Sequence, residues 1–140
     1  MMFRHILVPT DLTDRTLQAL DVAIDIAAGD DAHVTLLHVI ETIAGAEFEE
    51  FADFYAMLET RARERLNDLV ARSRRTRGPV DVAIVYGSRT EEVLRFARSE
   101  AIDLIALASH PIDPAQPHRG LGTMSYKLGI LAPCAVLLVK

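Results

Sequence analysis

Residues 102–139 read IDLIALASHPIDPAQPHRGLGTMSYKLGILAPCAVLLV, and this stretch decides the fold. Its opening, Ile102 to Ala108, is an almost unbroken apolar run, the pattern of a strand covered on both faces. Its close, Cys134 to Val139, has the same character. Between them a loop carrying Pro111, Pro114 and Pro117 leads to Gly120-Leu121-Gly122-Thr123, which opens a helix over about Thr123 to Leu131. Glycines and a hydroxyl residue at a helix start, after a buried strand, suit an anion: free N–H groups point outward and the helix dipole favours negative charge.

The preceding chain repeats this alternation. Phe3 to Val8 reads as a buried strand stopped by Pro9, and Thr10-Asp11-Leu12-Thr13-Asp14 offers helix-capping residues. A helix follows to about Ala28, with Leu17, Leu20, Ile24 and Ala27 on one face, and Gly29-Asp30-Asp31 ends it. His33 to Ile40 is a β-branched and aliphatic strand. The spacing of Phe51, Tyr55, Leu58, Ala62, Leu66 and Leu69 predicts one long helix over about Glu47 to Arg75. Acidic residues at its start and arginines at its end complement its dipole, and Gly78-Pro79 breaks it. Val80 to Tyr86 is a third strand and Thr90 to Glu100 a third helix.

This β-α-β-α-β-α-β-α-β order, without repeat or linker, predicts one α/β domain over residues 1–140. The sheet is doubly wound, parallel and Rossmann-like, with helices on both faces and right-handed crossovers. Ligands of such sheets sit beyond the carboxyl ends of the strands, so Asp11, Val39 and the loop from Ser109 to Thr123 converge on one crevice.

Composition narrows the class. The 140 residues are 50% hydrophobic and 25% charged, an ordinary globular balance. A net charge of −5 argues against a nucleic-acid partner. The lone Cys134 allows no internal disulfide and fits a reducing compartment, while no apolar run approaches the ~20 residues of a membrane span. The expectation is a cytoplasmic protein.

Among candidate residues, Asp11 suits either a turn or a contact with ribose hydroxyls; both roles can hold at once. Gly120, Gly122, Thr123 and Ser125 suit a phosphate cradle, although the pattern is neither a Walker A loop nor Gly-x-Gly-x-x-Gly. His110 and His118 flank the loop without metal-ligand spacing, so no metal site is expected. His5, His33 and His38 read as packed or hydrogen-bonded, and Cys134 as buried and inert. The basic run Arg72 to Arg77 reads as helix-end capping. No nucleophile–base pairing is legible.

The pieces ILVPTD (6–11), LLHVIE (36–41), VYGSRTEEVLRFA (85–97), DLIALASH (103–110) and GTMSYKLGILAPCAVLLV (122–139) resemble single-domain universal stress proteins over essentially the whole chain. The resemblance implies a five-stranded parallel sheet in the order 3-2-1-4-5 and a homodimer through the last strand, Ala135 to Val139, which would cover that edge. The ATP-binding members of that family carry Gly-x2-Gly-x9-Gly-Ser/Thr after the fourth strand. Here Ala108 and Pro111 replace the first two glycines, and ten residues, Ile112 to Leu121, precede the intact Gly122-Thr123. Pro111 lacks an N–H; a lost hydrogen bond to phosphate costs roughly 1.5–3 kcal/mol, weakening binding by about one to two orders of magnitude without abolishing it.

The expected nucleotide-binding set is Pro9, Thr10, Asp11 and Val39 on the adenosine side. Gly120, Gly122, Thr123 and Ser125 form the phosphate side, with Arg119 as an added phosphate contact, and Ser109, His110 and Met124 complete the set. The function implied is a regulator that binds ATP weakly, with Mg2+ only alongside the nucleotide, and at most slow hydrolysis. The alternative is a partner-binding module without nucleotide, using the proline-rich loop or the face around Phe48, Phe51 and Phe54.

Overall fold

Ile6, Leu7 and Val8 are all fully shielded from solvent, although successive side chains of a strand point to opposite faces. Such a strand needs cover on both sides. The computed structural model, which describes residues 2–73, 79–109, 113–116, 118 and 123–140, provides it. The elements are β1 (His5–Pro9), α1 (Thr16–Asp30), β2 (His33–Glu41), a short 3-10 helix (Phe48–Phe51) and α2 (Ala52–Arg72). β3 (Val80–Gly87), α3 (Arg89–Ser99), β4 (Leu104–Ala108), α4 (Met124–Leu131) and β5 (Ala135–Val139) follow.

The strands form one sheet in the order β3-β2-β1-β4-β5, and every pairing is parallel. This is the order that the resemblance implied. The register pairs Ile6 with both Val34 and Leu104, and Leu7 with both Thr35 and Ile105. One face buries Ile6, Val8, Leu36, Leu104 and Ala106 against Ala19, Leu20 and Ala23 of α1 and Leu66 and Leu69 of α2. The other buries Leu7, Leu37, Ile105 and Leu107 against Val93 and Ala97 of α3 and Leu128 of α4. Parallel strands require such crossovers, so the helix starts all gather at the carboxyl edge of the sheet.

Several boundaries differ from the sequence reading. β5 is not buried on both faces: Ala135 and Leu138 are exposed, because the strand is the outer edge of the sheet. Its apolar run records an edge, not a centre. The expected long helix divides into the 3-10 turn and α2, where Phe48 stacks on Tyr55 at 4.9 Å and meets Tyr86 edge-on at 5.4 Å. Arg74 and Arg75, expected at its end, lie outside the described residues. Helix α1 runs through Gly29 and Asp30, and Asp31 caps it in a left-handed conformation (φ 53°). β4 begins at Leu104, because the Asp103 carboxylate accepts hydrogen bonds from the backbone N–H groups of Arg4 (2.8 Å) and His5 (3.1 Å). Asp103 thereby ties β4 to the start of β1.

Among the described residues, no helix is long and apolar enough to cross a membrane.

The double-sided core sets the first test. Ile105→Ala removes a wholly buried side chain of a central strand and should lower unfolding stability by about 2–5 kcal/mol in denaturant titration. Met57→Ala, on the exposed side of α2, should change it by less than about 0.5 kcal/mol.

Candidate functional site

The connection between β1 and α1 is an unusually constrained turn. The Thr10 N–H still pairs with the Leu37 carbonyl at 2.9 Å, prolonging β1, and His38 Nδ1 donates to the Thr10 carbonyl at 2.9 Å. The Thr10 hydroxyl accepts from the Leu12 N–H (2.9 Å) and bonds the Thr16 hydroxyl (2.5 Å). Leu12 adopts a left-handed backbone with φ 70°, uncommon for a residue with a side chain. Its carbonyl accepts from Arg65 Nε of α2 at 2.8 Å. The same guanidinium reaches Asp14 at 2.6 Å and Asp68 at 2.7 Å, and Arg72 adds a second contact to Asp14 at 2.8 Å.

Asp11 sits inside this turn. Its Oδ1 accepts from the Thr13 N–H (3.0 Å) and the Thr13 hydroxyl (2.6 Å). The cap expected at the start of α1 is therefore spent on the turn itself, and α1 begins without a side-chain cap. Partial burial pushes the Asp11 carboxyl upward, but the Thr13 hydrogen bonds and the charge of Arg15 outweigh it and leave it below the ordinary carboxylate value. Asp11 is an anion at neutral pH.

Three chain segments meet over this turn. Pro9, Asp11, Arg15 and Thr16 share a cavity of about 310 Å³ with Leu107 and Ala108 at the end of β4 and Arg89 at the start of α3. Thr123, Met124 and Ser125 close it at the start of α4. Thr123 is the N-cap of α4, its hydroxyl accepting from the Tyr126 N–H at 3.3 Å. Ala108 has an ordinary extended backbone, so its methyl group introduces no strain where the motif has glycine.

Of the residues singled out from sequence, Pro9, Asp11, Thr123, Met124 and Ser125 come together here. Val39 does not. It lines a neighbouring, mostly apolar cavity of about 380 Å³ with Leu12, Ile40, Leu58, Ala62 and Glu41. Arg89 lines both cavities and marks where they adjoin. Thr10 is buried beneath the turn and lines neither, and Ser109 is buried where its N–H meets the Val139 carbonyl at 2.8 Å. His110, Pro111, Arg119, Gly120 and Gly122 lie outside the described residues. His5 bonds Thr35 and the Glu100 carbonyl, and burial pushes the Cys134 thiol up.

Sequence reasoning missed Arg15, Thr16, Arg89 and Leu107. Their signal was positional: Thr16 and Arg89 are the first residues of helices that follow β1 and β3, and every such start faces the same edge.

A doubly wound parallel sheet with a cavity at its carboxyl edge defines the class: a Rossmann-like α/β protein. The chain belongs to the universal stress protein family, whose model matches residues 2–140. It is 28% identical over 151 residues to the universal stress protein YxiE of Bacillus subtilis (strain 168), covering 99% of this chain and 100% of that protein. The solved structure of hypothetical protein MJ0577 superposes with a TM-score of 0.81 at 26% identity, covering 100% of this chain and 97% of the other. A universal stress protein from Archaeoglobus fulgidus, solved in complex with dAMP, shares the fold at a TM-score of 0.71 and 17% identity, with 100% of each chain covered. Another, solved with cAMP, does so at 0.70 and 19%, covering 100% of this chain and 99% of that one.

The turn carries its own pH signature. Hydrogen bonds from Arg72 and Arg65 hold Asp14 at about 2, below its ordinary 3.8. A folded-state value below the unfolded one stabilises above the ordinary value and is lost as pH falls through the folded one. Between pH 3.8 and about 2 the natural protein should therefore lose stability more steeply than Asp14→Asn, and the two curves should converge below that window. Denaturant titrations across the range, at low salt, provide the check.

Proposed function

We propose that this universal stress protein is a cytoplasmic regulator that binds an adenine nucleotide across the two adjoining cavities. The observation that carries the reading is the meeting of Asp11, Thr123 and Ser125, from opposite ends of the chain, in one cavity at the start of α4. The base lies in the apolar cavity beside Val39, the ribose near Asp11, and the phosphates against Thr123 and Ser125; Gly120 and Gly122, also expected on the phosphate side, lie outside the described residues. Cavities of about 310 and 380 Å³ each fall within the range of ligand sites. Relatives solved with cAMP and dAMP support the same ligand class. The nucleotide acts as a signal, with at most slow hydrolysis and with Mg2+ arriving only with ATP.

Thr123→Asp tests the placement. Aspartate also caps helices, so α4 should persist, while the new charge opposes phosphate. ATP affinity by calorimetry should fall at least about tenfold with thermal stability unchanged; unchanged affinity would put the phosphates elsewhere. Pro111→Gly, which returns a backbone N–H, should raise affinity by about 10- to 100-fold.

The protein acts as a homodimer joined through β5. Leu138 on that strand and Ile130 and Leu131 on α4 are exposed at 39%, 62% and 54%, and among the described residues no strand pairs with the outer edge of β5. Sedimentation equilibrium should give a dimer for the natural protein and a monomer for Leu138→Lys. A natural monomer would remove this part of the reading.

A second reading, a partner-binding module, is favoured by one observation: Phe48 and Phe54 stand 47% and 45% exposed at the start of α2.

A further inference from the structure

We infer that Arg15 and Arg89 are the residues that read ligand charge in this crevice, and that Glu41 competes with the ligand for Arg89. The inference rests on the nucleotide reading and deepens it. It begins from the charged groups lining the cavity over the β1–α1 turn. Among the described residues Asp11 is the one carboxylate there, and it already accepts two hydrogen bonds from Thr13. Arg15 and Arg89 bring two permanent positive charges. The described lining therefore carries a net positive charge, on a chain whose overall charge is −5. A cavity of opposite sign to the whole molecule concentrates anions at one point.

The two guanidiniums arrive by independent routes. Arg15 immediately precedes α1 and stands beside Asp11, while Arg89 is the first residue of α3, two positions beyond the end of β3. Both lie at helix starts, where a cation gains nothing from the dipole; arginine is the wrong residue for the helix there. Each has a carboxylate nearby, Asp11 beside Arg15 and Glu41 beside Arg89, and in the cavity each also offers a fork of N–H donors that grips an anion in two-point fashion.

Arg89 differs from Arg15 in lining both cavities, at their boundary. Its Nε lies 3.6 Å from Glu41 Oε1, beyond good hydrogen-bond distance, and both side chains are about half exposed. So loose a pair is cheaply exchanged. A phosphoryl group in the first cavity draws Arg89 from Glu41; an uncharged nucleoside has no means to do so. The arginines thus favour a nucleoside polyphosphate over the nucleoside, and they do so without the missing N–H at Pro111. Glu41 sets a threshold, since the exchange must be made for each ligand bound.

The experiment is calorimetric binding of adenosine, AMP and ATP to the natural protein, Arg15→Gln, Arg89→Gln and Glu41→Gln, at 50 and 300 mM salt. Expected is tighter binding of ATP than of adenosine by the natural protein, with a preference that shrinks at high salt. Each arginine variant should lose about 3- to 10-fold for ATP and less than twofold for adenosine. Glu41→Gln should bind ATP about 2- to 5-fold more tightly, with adenosine unchanged. Equal losses for adenosine and ATP in the arginine variants would mean a structural role and overturn the inference. So would adenosine binding as tightly as ATP to the natural protein, which leaves the adenosine-side reading standing. Absence of any binding by the natural protein would remove both readings together.

Discussion

A strand buried on both faces cannot sit at a protein's surface, and β1 and β4 are two such strands side by side, partly exposed at one end each, at His5 and Ala108. Burying both faces demands helices on both, and parallel neighbours demand that the chain return across the sheet between strands. From that constraint the rest follows. Each crossover ends at the amino edge and starts again at the carboxyl edge, so α1, α3 and α4 all begin at the latter. The site is there because the core is double-sided. Ile6 and Ile105 are thus as much responsible for the crevice as any residue that lines it.

Packing places the crevice, but polar contacts shape it. The β1–α1 turn holds a left-handed Leu12, and a non-glycine residue in that region costs of order 1–3 kcal/mol. It persists because hydrogen bonds converge on it from Thr10, His38 and Arg65. Arg65 belongs to α2, on the face packed by α1, so the turn carrying Asp11 is clamped from a helix that does not line its cavity. The same side chain lines the apolar cavity beside Val39. One guanidinium thereby spans the outer wall of one cavity and the support of the other.

How much of this was legible in the sequence depended on range. Element type and a parallel, doubly wound sheet followed from apolar runs and their alternation, because buried strands tolerate little else; the strand order came from the family resemblance. Distinguishing centre from edge did not: Ala135–Val139 reads as apolar as Leu104–Ala108, and only strand order makes one an edge. The break between the 3-10 turn and α2 was hidden because Phe48, Phe51 and Tyr55 keep helical spacing, while ring stacking, a tertiary contact, decides the geometry. At the site, Asp11 and Thr123 were legible from their places beside a strand end and at a helix start. Arg15 and Arg89 were not, since an arginine at a helix start looks like surface until the topology brings two of them to one cavity.

The altered glycine motif then takes on a different weight. Of its two lost glycines, the one replaced by Ala108 falls on extended backbone, where a methyl group introduces no backbone strain. A phosphate site is a sum of donors, and donors of different kinds substitute for one another: backbone N–H groups at a glycine loop, a helix start, or arginine forks. They differ in range. Backbone donors act only in contact, whereas guanidinium charges act across the cavity and weaken with salt. On the proposed nucleotide reading, a crevice that uses Thr123 and the start of α4 for contact, and Arg15 and Arg89 for charge, is open to regulation by ionic conditions in a way that a closed glycine cradle is not. Glu41, loosely held by Arg89 at the boundary of the two cavities, stands where such a balance is set.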